Sequence, residues 1–168
     1  MKSSPAGEQS PLWPAAVLSP DDQYRYFLSR RVASGGPVVL FIGLNPSTAD
    51  AVVDDPTIRR CIAFARSWGA SAMWMANLFA FRSTSPKGLR IAADPIGPDN
   101  DEWIQRAVSA ADLVVAAWGN HGGLFDRANV VLEKHGSRLL ALRLTKTGMP
   151  GHPLYVRGDA RPAPLERS

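Results

Sequence analysis

Apolar residues in this chain fall into short unbroken blocks: residues 38–42 (VVLFI), 71–76 (SAMWMA), 113–118 (LVVAAW) and 138–142 (RLLAL). Blocks of this length, rich in β-branched and aromatic residues and bounded by turn signals, predict strands buried on both faces. Between them the period changes. Ile58, Cys61, Ile62 and Ala65 share one helical face that ends near Trp68, with Asp55 as cap, Pro56 at the first helical position and Gly69 as the stop. Asp99 and Glu102 form a capping box ahead of Trp103, Ile104, Ala107 and Val108, and residues 124–135 read as a third helix. Residues 24–32 read as an edge strand or a short helix, 77–98 as a long loop and 119–123 as a turn.

Strands alternating with helices predict an α/β fold, a three-layer α/β/α arrangement around a central, mainly parallel four-stranded sheet. Residues 21–157 are expected to form one domain, with a loose N-terminal arm over 1–20 and a polar tail over 158–168. In such a sheet ligands bind beyond the carboxyl ends of the strands. Four polar clusters gather there: Gly43-Leu44-Asn45-Pro46-Ser47, Asn77-Leu78-Phe79, Trp118-Gly119-Asn120-His121 and Gly151-His152-Pro153-Leu154-Tyr155.

Composition narrows the class. The 168 residues are 45% hydrophobic, enough for a core, yet no apolar run reaches the ~18 residues of a membrane span. The first residues carry no apolar signal-peptide core, and Cys61 is the sole cysteine, which excludes an intrachain disulfide and a cysteine-rich metal site. These features predict a cytoplasmic monomer without membrane contact. The formal charge of +4 is compatible with a polyanionic partner.

The candidate chemistry follows from side-chain type. Asn45 and Asn77 each offer a donor and an acceptor on one planar amide, and Pro46 keeps Asn45 out of α geometry. His152 can donate to an oxygen gaining negative charge; His121 can do the same or bond across the loops. His135, near a helix C-terminus where a cation is favoured, reads as structural, and Cys61 and Trp103 read as core. Arg59 and Arg60 lie in a first helical turn, where the dipole disfavours cations; they are either neutralised by Asp54 and Asp55 or contact phosphate. Arg82, Lys87, Arg90, Arg143, Lys146 and Arg157 add positive charge at the same rim. Asp50, Asp54 and Asp55 are more simply capping groups than a Mg²⁺ site. Walker A, dinucleotide, nucleophile-elbow and zinc-protease patterns are lacking.

The ordered motifs resemble two families. NPSTAD, DPTIRRC, NLFAFR, AWGNHG and HPLY resemble an uncharacterised bacterial and phage family that carries no assigned chemistry. GLNPS, the strand ending in Asn77, AWGNHGG and HPLY also resemble the motifs of the uracil-DNA glycosylase superfamily, over about residues 38–156. That likeness implies a glycosylase-like fold and hydrolysis of the N-glycosidic bond of a damaged or modified base in nucleic acid, DNA above all, without a cofactor or metal. It implies that Asn45 places the attacking water and His152 stabilises the departing base. Asn77 would read the base, within a lining of Gly43, Leu44, Pro46, Ser47, Phe79, Trp118 and His121. Phe79, Phe64 or Trp118 would stack on the base, and Arg59, Arg60, Arg82 and Lys146 would hold phosphates. Asn45 is not a carboxylate and so is no general base; the single cysteine excludes the cluster-bearing branches. A non-catalytic nucleic-acid or nucleotide-binding module and a hydrolase of free nucleotides or nucleosides are the alternative expectations.

Overall fold

The computed structural model describes residues 13–165. Seven strands form one sheet: β1 (Ala16–Leu18), β2 (Arg25–Arg31), β3 (Val38–Gly43), β4 (Ala72–Asn77), β5 (Leu113–Ala116), β6 (Leu139–Ala141) and β7 (Ala163–Pro164), in the order β1-β2-β4-β3-β5-β6-β7. The four strands foreseen in the apolar blocks are β3 to β6, and they pair in parallel. The four-stranded expectation is corrected by antiparallel additions: β1 and β2 on one side, β7 on the other. β2 is a strand rather than a helix, and β1 covers its outer edge.

Four helices lie among the described residues: α1 (Pro56–Ser67), α2 (Pro86–Ile91), α3 (Asn100–Ala110) and α4 (Arg127–His135). α1 starts as expected, with the Asp55 carboxylate accepting from Ile58 N–H and Pro56 in the first turn; Gly69, at φ 77°, takes the left-handed conformation that ends it. Its buried residues Ile58, Cys61, Phe64 and Ala65 pack with Val39, Phe41, Met73 and Met75 of the sheet. Ile104, Ala107 and Val108 of α3 and Ala128 and Val131 of α4 pack with Leu40, Ile42, Ala76 and Val114 on the opposite face. Alternate residues of β3 thus point to opposite cores, which is why its sequence is apolar without a gap. Each such side chain, fully buried, contributes ~1.5–3 kcal/mol. Cys61 is buried in this packing, and burial pushes its thiol up, in keeping with a core residue.

Several boundaries differ from expectation. Residues 13–20 of the expected loose arm include β1, and Trp13 packs its ring 4.4 Å from that of Trp74; residues 1–12 lie outside the described residues. The expected tail contributes β7. The long loop contains α2, capped by Ser85. The third expected helix begins late, at Arg127, because Phe125 and Asp126 adopt φ 53° and 58° and interrupt it with a 3-10 segment over Asn120–Asp126. Asp99 makes no side-chain capping bond, so the expected capping box is not formed. No helix among the described residues is long and apolar enough to cross a membrane.

Candidate functional site

The connection from β3 crosses the α1 face of the sheet, whereas the connection from β5 crosses the opposite face by way of α4. The carboxyl ends of the adjacent β3 and β5 therefore diverge, which is where α/β sheets open a crevice. A cavity of about 840 Å³ opens there. Gly43, Leu44, Asn45, Pro46 and Ser47 line it, with Asn77, Trp118, His121, Lys146 and His152. Asp55, Thr57 and Ile58 at the start of α1 close one side, and residues 151–155 close another.

The Asn45 amide has a defined orientation. Its Nδ2 donates to Ser83 O (2.9 Å) and Pro46 O (3.0 Å), two groups that can only accept. Oδ1 is left as the group's remaining function, an acceptor suited to a water or a ligand N–H. Asn77 is the complement. It is 4% exposed, and its Nδ2 has no hydrogen-bond partner among the described residues. Leaving a buried amide donor unpaired costs ~1–3 kcal/mol, so such a group in a cavity wall is suited to a ligand acceptor. Gly43, paired with Asn77 across the β3–β4 ladder, makes room for this side chain: a Cβ on Gly43 would stand 2.8 Å from Asn77 Oδ1.

The strand end that carries Asn77 is braced from the other face. Asn100, fully buried, donates to Asn77 O and Leu78 O, and buried Arg127 donates from Nε to Leu78 O while pairing with Asp101. The loop that carries Asn45 is held by arginines. Arg25 Nη1 donates to Ala49 O, Arg30 bonds Asp50 O and the Asp54 carboxylate, and Arg82 Nε donates to Ser47 O. Asp50 accepts from Val52 and Val53 N–H and Asp55 from Ile58 and Ala49 N–H, so these carboxylates act as capping groups.

His152 Nδ1 accepts from Leu154 N–H at 3.1 Å, which assigns the proton of the neutral ring to Nε2. Burial holds its pKa below the ordinary histidine value, partly opposed by Asp55. The same holds for His135, where burial and then Lys134 lower it against Asp101. His135 is buried at the end of α4, in keeping with a structural role, and its burial opposes the cation that the helix terminus favours. Both rings bind fewer protons folded than unfolded between their lowered values and about pH 6.5, so stability falls as pH drops through that window. Thermal unfolding by circular dichroism should show a lower Tm at pH 5.5 than at pH 7.5, with a shallower decline in the variant carrying His135→Gln and His152→Gln; an equal decline in both proteins would contradict this.

The remaining candidates divide. Lys146 lines the cavity, exposed, and so does Arg143, one of the other rim cations. Arg59, Arg60 and Arg82 stand outside it. Arg59 Nη1 donates to Asp54 O; Arg60 donates to Pro153 O and Val156 O and stacks over Phe64; Arg82 holds the residue 47–48 backbone. Phe79 is fully buried in the core, and Phe64, on the buried face of α1, stacks on Trp68; neither lines the cavity. Trp118 lines it with 1% exposure. The exposed aromatic at the mouth is Tyr155, whose ring lies 5.6 Å from that of His152. Arg25, Ser83 and Thr145 are lining residues outside the motifs, and Asp55 and Asn120 are motif residues that line the cavity as well; Thr145 and Thr147 both donate to Asn120 Oδ1 and tie two rim loops together.

Residues 25–154 match the model of a family described as a protein of unknown function, DUF1643. No curated protein and no solved structure matches the chain.

Proposed function

The chain belongs to the DUF1643 family, whose description assigns no chemistry, and from the cavity itself we propose that this protein hydrolyses the N-glycosidic bond of a damaged or modified base on a glycosylase-like fold. One observation carries the reading: Asn45, Asn77 and His152 line a single cavity of about 840 Å³ at the point where the strand connections diverge. A volume of this order suits a nucleoside-sized ligand. The order of the motifs along the chain, with Asn45 after β3, Asn77 ending β4 and His152 after β6, is that of the uracil-DNA glycosylase superfamily that the sequence resembles.

The roles follow from the hydrogen-bond inventory. Asn45 Oδ1 accepts from a water and orients its oxygen toward C1′. The C1′–N bond breaks with its electron pair passing to the base, the water oxygen bonds to C1′, and the proton lost by the water balances the charge of the departing base. His152, a neutral Nε2–H donor, stabilises the base as negative charge develops on its oxygen. Asn77 Nδ2 donates to a base carbonyl. Arg143 and Lys146 at the mouth suit the phosphate side of the nucleotide.

A second reading, hydrolysis of free nucleosides or nucleotides, is favoured by the arginines. Arg59, Arg60 and Arg82 bond to backbone carbonyls of the protein itself, which leaves a short cationic rim rather than a track for a polynucleotide. Incubating the protein with oligonucleotides carrying a panel of damaged and modified bases, and in parallel with the corresponding nucleosides and 5′-monophosphates, separates the two. Base release is expected in one arm and lost, by about 10²-fold or more, on Asn45→Ala. Silence of the folded wild-type protein in both arms would reject the hydrolase reading.

A further inference from the structure

Arg25 opens β2, the antiparallel strand beside β4 and outside every motif the sequence displays, yet its side chain lines the same cavity. The residue is 2% exposed. Nη1 donates to Ala49 O at 3.0 Å, and Nε, fully enclosed, has no hydrogen-bond partner. Among the described residues Arg25 forms no ion pair. Asp55 offsets its charge at a distance, but both Asp55 oxygens already accept, from Ile58 N–H and Ala49 N–H. Desolvation lowers the guanidinium pKa to about 10, which still leaves it charged at neutral pH.

A buried guanidinium without a carboxylate partner is unfavourable unless something in the site receives it. A clamp on Ala49 O requires one N–H, and Arg30 and Arg82 already hold the rest of that loop from exposed or half-buried positions. The other enclosed donors of residues lining the cavity, Asn77 Nδ2 and Trp118 Nε1, have the same need. Three unpartnered donors, one of them cationic, define the deep part of the cavity as a place for oxygen acceptors bearing negative charge. The exposed cations, Arg143 and Lys146, stand at the mouth. A ligand with an acidic or readily ionised oxo-base at one end and a phosphate at the other fits this polarity in one direction only.

We propose that Arg25 is the specificity-determining residue of the cavity: it takes an anionic oxygen of the base, so the site selects acidic oxo-bases over amino-bases. This rests on the nucleobase reading above.

Isothermal titration with free bases tests the inference without requiring turnover. Barbiturate (an oxo-pyrimidine ionised at pH 7), uracil, cytosine and inorganic phosphate are titrated into wild-type protein, Arg25→Lys and the near-isosteric Arg25→Met. Barbiturate is expected to bind wild type about tenfold or more tighter than uracil, as a charge-assisted bond predicts, and cytosine weakest. The barbiturate-to-uracil ratio should approach one in Arg25→Met and be partly retained in Arg25→Lys. A structural clamp would alter folding and all affinities together but not this ratio. If Arg25→Met does not fold, the order of the four probes on wild type, read also by thermal shift, decides. Equal binding of barbiturate and uracil, preference for cytosine, phosphate displacing barbiturate at equal affinity, or no binding of any probe to the folded protein overturns the inference. Base release from an oligonucleotide or nucleotide that is indifferent to Arg25→Met would also overturn it while leaving the hydrolase reading intact. Selective barbiturate binding with no turnover on any substrate would sustain it and remove the hydrolase.

Discussion

Replacing His152 with alanine is expected, for the proposed hydrolysis, to lower the rate of base release by about 10²–10³-fold, the usual effect of removing one donor aimed at developing charge. The geometry specifies the kind of loss. Leu154 N–H holds Nδ1, so the ring meets the cavity as an Nε2–H donor, and burial keeps it uncharged below the ordinary histidine range. The rate of the wild type should therefore stay level from pH 8 down past about 6.5 and fall only when the ring acquires its second proton. His152→Gln, which retains an N–H donor, should recover part of the loss; His152→Ala should not. KM is expected to change less than kcat, because the bond strengthens as charge builds on the base. Single-turnover rates of wild type and both variants over pH 5–8 provide the check. An unchanged rate in His152→Ala would remove the ring from the mechanism.

The second large effect is on stability. A Cβ on Gly122 would lie 2.1 Å from Trp118 Cδ1 and 2.6 Å from its Nε1. Trp118 is 1% exposed and sits in the core shared by β3, β5 and α4, so the indole can relieve the contact only by displacing packed neighbours or by tilting into the cavity it lines. Gly122→Ala should lower the unfolding free energy by about 3 kcal/mol, the upper part of the usual overpacking range. For a chain of this length that is a fall in Tm on the order of 10 °C. Gly136→Ala is the control, since a Cβ there meets nothing within 4 Å; it should be neutral or slightly stabilising. Denaturant melts of the two variants beside wild type give the comparison. A Gly122→Ala protein within about 1 kcal/mol of wild type would show that the 3-10 segment yields easily.

What the sequence made legible was local. β3, β4, β5 and β6 announce themselves because strands buried on both faces have no polar positions to disguise them, and α1 because Asp55 and Pro56 mark its first turn. β1 and β7 are short, half-buried or exposed, and exist because distant strands offer them an edge, a property no local window contains. The late start of α4 depends on two residues in left-handed conformation, Phe125 and Asp126, neither of them glycine, and so without a compositional mark. At the site, the residues of the motifs that end parallel strands were readable because topology sends strand ends to one rim. The arginines were not. Arg60 and Arg82 look like free surface cations until the backbone carbonyls they bond are in view, whereas Arg25 looks like an ordinary strand-opening residue until its burial is known.

The arginine-held loop and the braced end of β4 have a kinetic consequence. Ala49, Asp50, Ser47 and Leu78 each have their carbonyl gripped by a side chain from elsewhere in the chain, so the cleft is shaped before its guest arrives. Admission then needs no remodelling of the floor. The parts at liberty to swing are the exposed side chains at the entrance, Arg143, Lys146, Leu154 and Tyr155, and capture should run close to the speed of diffusive encounter, slowed chiefly by the movement of these side chains.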